Sequence, residues 1–519
     1  MPEEKETSHQ SGLRRDVTIW GSYMWGYADV GADVYVALGL VMFYAKGGTL
    51  YAFAFAGLVY ILIGLAYTEL ASAYPVAGGG PYYALRGLGD FWALISGSAL
   101  ALDYTIDVAL FALASAGYFD YFLPGRIVKA SLYLGSYVPH FYWFQCLESI
   151  ILIAFLIWIN IIGIKESSLL NEVLGGFDIC MESLIIIMGF VFAWKPNLFL
   201  HQIQFQLPNL YDFMRGSSLA IISYVGLESI SQAAQETKRP STVVPRTSLT
   251  LIFTVFLFAL SFSSLGLGML PWQIIAHHEN NPIAVLASHL PLIGRMAGAL
   301  AAVMGGLILL ISSNSGVMSV SRLSYSLSQF NLIPKWFNEV HPKYKTPVRT
   351  IMIFSGIAVI QTILAYLSHN ALHTLGNMYA FGATLGYLLV FVSLIKLRLT
   401  DPYTPRPYKM PFNIKFKNIK GETLEFPLLS ILGLIGVSAV LAAVIWTHKI
   451  ARIASPIWIL LWFAYYVWYR RKQKIPVFQT TPRDWESDQK SVLESAEEYD
   501  LLEQYKWALA ERDKKARKN

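Results

Sequence analysis

Charge is what this chain has least of. Only 14% of its 519 residues are Asp, Glu, Lys or Arg, against about 25% in an ordinary soluble domain. So little charge argues against a water-soluble body. Cysteine is almost missing too. Cys146 and Cys180 are the two present, which excludes a disulfide framework and leaves no metal-ligand cluster. Segments of about 10 alternating residues, the mark of a membrane barrel, do not occur. No nucleophile–base pair or metal motif supports an enzyme. The run Gly78-Gly79-Gly80 is not followed by Gly-Lys-Ser/Thr, so it is read as a tight re-entrant turn rather than a phosphate cradle. Residues Pro2 to Arg15 are polar and lack an apolar core with a small-residue cleavage site, so no cleavable signal peptide is expected. The formal net charge of +6 does not call for nucleic acid, because Lys and Arg gather in particular loops.

What the chain has is apolar length. It is 55% hydrophobic, with a mean hydropathy of +0.46. Windows of about 20 apolar residues recur from end to end, each long enough to cross a bilayer as a helix. The expected fold class is therefore an all-α polytopic membrane protein. Twelve spans are expected, near 17–44, 49–73, 91–120, 148–165, 172–194, 214–236, 246–270, 293–327, 349–368, 374–398, 427–447 and 453–470. Alternate loops are rich in Lys and Arg, among them Lys238, Arg239, Arg246, Lys335, Arg349, Lys396 and Arg398. By the positive-inside rule this puts both termini in the cytoplasm of a multi-pass protein of the cell membrane. Residues 1–16 read as a cytoplasmic N-terminal segment, 17–410 as a ten-helix core, 411–475 as spans eleven and twelve, and 476–519 as a cytoplasmic tail. Residues 271–292, with His277 and His278, read as a solvated outer loop. The tail reads as an amphipathic helix around Leu501, Leu502, Tyr505, Trp507 and Leu509.

Two spans carry residues that membrane helices avoid. Span one holds Gly26, Asp29, Gly31, Ala32, Asp33, Tyr35 and Gly39; span six holds Ser223, Tyr224, Gly226 and Glu228. Helix interiors disfavour Gly by about 1 kcal/mol, and mid-membrane Asp costs roughly 2.5–3.5 kcal/mol. A chain accepts both where backbone lines a site inside protein. The two stretches open two five-helix units of opposite topology. Broken helices at matching positions of two inverted halves are the architecture in which substrate binds at mid-membrane.

Beyond span six the chain reads Gly226-Leu227-Glu228-Ser229-Ile230, Glu236-Thr237-Lys238-Arg239-Pro240 and Val244-Pro245-Arg246. Span eight and its loop give Ser321-Arg322-Leu323-Ser324-Tyr325, Leu332-Ile333-Pro334-Lys335 and Thr346-Pro347-Val348-Arg349. With Gly31-Ala32-Asp33-Val34-Tyr35-Val36, Glu69 and Tyr74-Pro75, these motifs resemble the amino acid–polyamine–organocation (APC) superfamily over about residues 17–410. The resemblance implies the leucine-transporter-like inverted five-plus-five repeat with two extra C-terminal spans, and secondary transport. It also implies no cofactor beyond a coupling ion, H+ or Na+. Asp33 departs from the family pattern, which has a glycine there. Asp178 falls near a position where some of its amino-acid permeases keep a lysine. Leu102-Asp103-Tyr104 is similar to a potassium-importer branch of the superfamily, whose cation site is formed by acids on spans one and three.

Seven acids fall within spans: Asp29, Asp33, Asp103, Asp107, Asp178, Glu182 and Glu228. Each must be protonated, paired or hydrated there, which makes it a functional candidate. Asp29 and Asp33, Asp103 and Asp107, and Asp178 and Glu182 are each four apart, so an unbroken helix would put both members on one face. Asp29 and Glu182 could equally sit at wet span ends. Ser312, Ser313 and Asn314 offer oxygen ligands of the kind hard cations want, unless their hydroxyls bond back to their own helix. Tyr27, Tyr35, Tyr104 and Tyr224 could wall a pocket that takes ammonium groups. Gly31, Ala32, Asp33, Tyr35, Asp103, Tyr104, Ser223, Tyr224 and Gly226 are the expected substrate contacts. Asp29, Asp107, Asp178, Glu228, Ser312, Ser313 and Asn314 are the expected ion-coupling residues. The leading expectation is a proton- or sodium-coupled transporter of amino acids or polyamines, favouring cationic or amine substrates. A proton-coupled potassium or other monovalent cation importer is the alternative, and a channel or non-transporting sensor the lesser one. The partners expected are a small-molecule or cation substrate and the lipid bilayer, with homo-oligomerisation left open and no nucleic acid.

Overall fold

A computed structural model describes residues 18–123 and 142–516, apart from 163, 233, 345, 369 and 418–422. The N-terminal segment 1–16 lies outside the described residues.

Among the described residues, ten helical segments are long and apolar enough to cross a membrane. The first, Ile19–Ala73, is 55 residues long and makes two crossings, separated at the turn Lys46–Gly48. Span one is thus Ile19–Val30, Gly31–Asp33 and Val34–Ala45, and span two is Thr49–Ala73. Spans three, four and five are Asp90–Phe119, Trp143–Ile162 and Ile164–Phe192. Span six is broken into Leu210–Ala220, Ile221–Tyr224 and Glu228–Gln232, pieces too short to cross singly. Spans seven to ten are Pro240–Met269, Gly294–Gln329, Val348–Tyr366 and Ala371–Thr400. Spans eleven and twelve are Leu428–Thr447 and Lys449–Lys472. Helices start where the chain supplies a cap or a proline. Thr18 accepts from the Gly21 amide at 3.1 Å, Asn209 from the Asp212 amide at 2.8 Å, and Pro240 opens span seven, six residues earlier than expected.

Two packing groups emerge. Span six lies on span one and span seven on span two, while span three packs most extensively on spans eight and ten. Span three is buried over its whole apolar stretch and forms the axis of the molecule. Apolar side chains such as Trp158, Phe253, Leu460 and Ile435 remain exposed on the outer spans, as a lipid-facing belt requires.

The structure adds detail that the sequence reading lacked. The expected solvated loop 271–292 instead contains two short helices, Trp272–His277 and Pro282–Ser288. The second is buried through Ile283, Ala284 and Leu286, because Pro282 starts a helix and its apolar face finds spans one and eight. The glycine run turns into a helix, Gly80–Leu88, with Gly78 at φ 106° and Gly79 at φ 49°. An antiparallel hairpin, Asn413–Lys417 with Thr423–Pro427, precedes span eleven. The tail is two helices rather than one, Trp485–Ser495 and Tyr499–Ala516.

Candidate functional site

The two breaks differ in kind. In span one, residues Gly31–Asp33 form one tight 3-10 turn and the chain stays helical on either side. The expected unwinding there is a local tightening. Gly31 is required by packing: a Cβ would lie 2.6 Å from the Tyr27 ring. Gly26 likewise admits Leu251 and Ile230. Span six does unwind. Val225 is extended and Gly226 takes φ 120°, a region that side chains avoid. A Cβ on Gly226 would also press on the Asp29 side chain and the Val30 amide. The two breaks therefore touch, with Gly226 against Asp29.

Around this contact five carboxyls converge from three spans. Asp29 and Asp33 come from span one, Asp103 and Asp107 from span three, and Glu228 from span six; none is more than 2% exposed. The Asp29 carboxylate accepts from the Ser229 hydroxyl. Ser312 donates to the Asp29 carbonyl at 3.0 Å and lies 3.5 Å from Asp33 Oδ1. Glu228 Oε2 accepts from the Gly226 amide at 3.2 Å and from the Tyr387 hydroxyl at 2.7 Å. Asp33 Oδ2, Asp107 Oδ1, Glu228 Oε1 and both oxygens of Asp103 meet no N–H or hydroxyl donor among the described residues; the Asp103 and Glu228 carboxyls face each other. Asp107 Oδ2 packs against Gly316 of span eight. Among the described residues none of the five is ion-paired with Lys, Arg or His. Arg322, buried in span eight, is taken by Glu236 at 2.7 Å and lies over the Trp25 ring.

A second acidic pair lies between spans one and five. Asp178 accepts from Tyr35 at 2.7 Å and from Tyr27 at 3.0 Å. The Tyr27 hydroxyl is also 2.8 Å from Glu182 Oε2. Tyrosine has one hydroxyl proton, so both contacts are satisfied when one of the two carboxyls carries a proton of its own. Glu182 is buried rather than at a wet span end.

The expected residues divide accordingly. Gly31, Ala32, Asp33, Asp103, Gly226, Asp29, Asp107, Glu228 and Ser312 belong to one buried neighbourhood. Tyr104 joins it through Gln232, whose amide donates to the Tyr104 hydroxyl at 3.0 Å. Ser223 is buried with its hydroxyl unpartnered. Tyr35 and Asp178 belong to the second pair. Three residues are directed elsewhere. Ser313 donates to the Val108 carbonyl at 2.9 Å, the Asn314 amide oxygen accepts from Asn160, and Tyr224 donates to the Phe53 carbonyl at 3.0 Å. Adjacent helical residues point about 100° apart, so Ser312 and Ser313 reach different spans. Tyr387, Ser229 and Gln232 are site residues to which the sequence reading assigned no role. Tyr379, of the same span as Tyr387, is buried with its ring against Phe111 of span three. Ser229 and Gln232 sit beside the Gly-Leu-Glu motif and could have been suspected; span ten offers no local signal for its tyrosines.

Chemically, the central site is a cluster of oxygen ligands, five carboxyls with the Ser229 and Ser312 hydroxyls, which offers negative charge where its acids ionise. It suits a hard monovalent cation or an ammonium group. A plain carboxylate would meet like charge.

Comparison with known proteins gives the chain a setting. A branched-chain amino acid permease, BcaP of Bacillus subtilis (strain 168), is 25% identical over 479 residues, covering 90% of this chain and 95% of the relative. A vacuolar cationic amino acid transporter 4 of Arabidopsis thaliana is 27% identical over 391 residues, 72% of this chain and 61% of the relative; the chain thus spans about three fifths of that longer protein. A methylthioribose transporter of Bacillus subtilis (strain 168) is 25% identical over 389 residues, 74% of this chain and 81% of the relative. The amino acid permease family model matches residues 24–468, nearly all of the helical body described above, and the chain accordingly belongs to that family of polytopic membrane transporters.

Proposed function

We propose that this permease is a secondary transporter of cationic amino acids or amines, coupled to protons or sodium and working by alternating access in the cell membrane, with both termini cytoplasmic. One observation carries the reading: five buried carboxyls meet at the broken spans, and among the described residues no basic side chain is ion-paired with any of them. A positively charged substrate supplies what the protein withholds. Asp33 and Asp103 hold its charge, Tyr104 and Tyr379 flank it, and the Gly226 break gives it exposed backbone. The Asp178–Glu182 pair, with Tyr27 between, is built to hold and release one proton, which fits proton coupling; Ser312 beside the Asp29 carbonyl fits sodium instead. The cationic transporters among the relatives lend support.

Uptake into proteoliposomes tests this. Arginine, putrescine, leucine and rubidium are compared with and without pH and sodium gradients. Arginine or putrescine should accumulate against a gradient, and Asp33→Asn should lower that uptake at least tenfold. Gradient-driven leucine uptake that survives Asp33→Asn would refute the reading. Asp103, whose oxygens meet no N–H or hydroxyl donor among the described residues, favours one second reading, an inorganic monovalent cation as the substrate. Rubidium flux alone, lost in Asp33→Asn, would establish it.

A further inference from the structure

We propose that the C-terminal tail, residues 473–516, clamps the mouth of the transporter on the side where span one starts, and that it must swing away for the site to open there. The proposal rests on the alternating-access reading above.

The tail is a built unit. Asp484 caps its first helix by accepting from the Glu486 and Ser487 amides. Leu493, Leu502, Tyr505 and Leu509 form a small core of their own. Arg512 of the second helix pairs with Glu486 of the first. The hairpin can therefore move as one piece.

It is also bonded to both packing groups at once. Toward spans two and seven, Gln489 donates to the Ala73 carbonyl at 3.0 Å, and the amide and hydroxyl of Ser241 both donate to Glu498. Toward spans three and eight, Arg483 and Thr481 bind Asp90, and Arg483 donates to the Phe330 carbonyl at 3.0 Å. The helix Gly80–Leu88 is held as well: Tyr82 donates to Asp488 at 3.1 Å and Arg86 to Gln489 at 2.8 Å. Rocking spans one, two, six and seven against spans three, eight and ten has to break one of these sets.

The tail roofs a cavity lined by Pro75, Val76, Gln235, Gln329 and Phe330, with Val492 in its roof. From that cavity a chain of contacts runs to Tyr104. Gln235 and Gln232 accept from the Ala77 and Gly78 amides at 3.0 and 3.1 Å, and the same Gln232 holds Tyr104. A tail that fixes this loop keeps Tyr104 in its closed position. A tail that merely hangs from the membrane would not need contacts to five separate parts of the body.

Reversible cross-linking decides the matter. Ser241→Cys and Glu498→Cys are combined and joined with a short reducible bis-methanethiosulfonate. Each single variant, treated alike, serves as the control for Cys146 and Cys180. Uptake should fall at least tenfold in the cross-linked protein and return with reductant. Conversely, Gln489→Ala with Glu498→Ala should raise the maximal uptake rate severalfold at unchanged KM. A readout that needs no substrate accompanies both. Ser326→Cys, buried beneath the glycine turn, should react faster with a permeant maleimide in the released variant and slower in the cross-linked one. If no substrate is moved but labelling follows the clamp, the transport reading fails and the clamp stands. Cross-linked protein that transports and labels like its controls would overturn the clamp.

Discussion

Two aspartates, the partly exposed Asp401 and the buried Asp103, differ in the company they keep. Asp401 follows span ten and accepts from Arg86 at 2.9 Å, from Tyr74 at 3.0 Å and from Thr404 at 2.8 Å. Burial pushes its carboxyl up, but the Arg86 charge, the Thr404 hydroxyl and Arg406 outweigh it and hold the group below its ordinary 3.8. Among the described residues Asp103 meets no cation and no N–H or hydroxyl donor, and faces the Glu228 carboxyl instead. One acid is held by cations and hydroxyls at the end of span ten; the other sits among further acids. A depressed carboxyl contributes stability that is complete above the unfolded value and lost as pH falls through the folded one. Thermal unfolding in detergent should therefore show the wild type losing stability below about pH 4, while Asp401→Asn lacks that part of the acid loss. At pH 7 the variant should be weaker by about 1–3 kcal/mol, since Arg86 then lacks its charged acceptor. Equal acid profiles for the two proteins would refute this. The sequence made the seven acids within spans visible as candidates, because charge is so rare there. It could not separate the paired from the unpaired, since Arg86 lies 315 positions from Asp401 and Arg398 lies 329 from Glu69.

At the scale of elements, the lesson lies in the glycines. Spans one and six were both legible as unusual, and the structure brings them into contact. Composition could not say what each glycine is for. Gly26 and Gly31 let neighbouring side chains approach, and the helix runs on through a single 3-10 turn. Gly226 is the one that bends backbone, at φ 120°. The three positions look alike in sequence because close packing and positive φ both select the residue without a Cβ. They should respond differently to alanine. Gly226→Ala adds backbone strain of about 1–3 kcal/mol and drives a methyl into Asp29, displacing the acid that anchors Ser229. It should lose both stability and at least tenfold in uptake. Thermal unfolding and proteoliposome flux on the same preparation check this, and undiminished flux would show that the unwound segment has no part in the site. The Ser312–Asn314 run points its side chains at different spans for a related reason. Consecutive helical residues diverge, so a run of polar residues marks a crowded helix more reliably than a convergent site.

Across the whole molecule, the all-α polytopic class could be read from recurring apolar windows; the order in which spans pack on one another could not. That order decides what Glu69 does. It ends span two, yet it accepts from Arg398 of span ten at 2.5 and 2.6 Å, with Arg406 at 3.3 Å and the Met410 amide at 2.8 Å. Spans two and ten belong to different packing groups, so this buried pair crosses the same seam as the tail. Both partners are essentially inaccessible, Glu69 at 0% and Arg398 at 2% side-chain exposure. Removing one member of such a pair leaves an uncompensated buried charge, which costs about 3–5 kcal/mol. Glu425 at 3.3 Å from Arg398 is 22% exposed and already bound by Lys409, so it cannot take over. Glu69→Gln should therefore destabilise the protein by that amount, whereas Lys409→Ala, which loses a half-exposed ion pair, should change stability by no more than about 1 kcal/mol. Unfolding of both variants in parallel measures the difference. If the two shifts were equal, the Glu69–Arg398 pair would be no stronger than a surface contact, and the seam between the groups would depend on the tail alone.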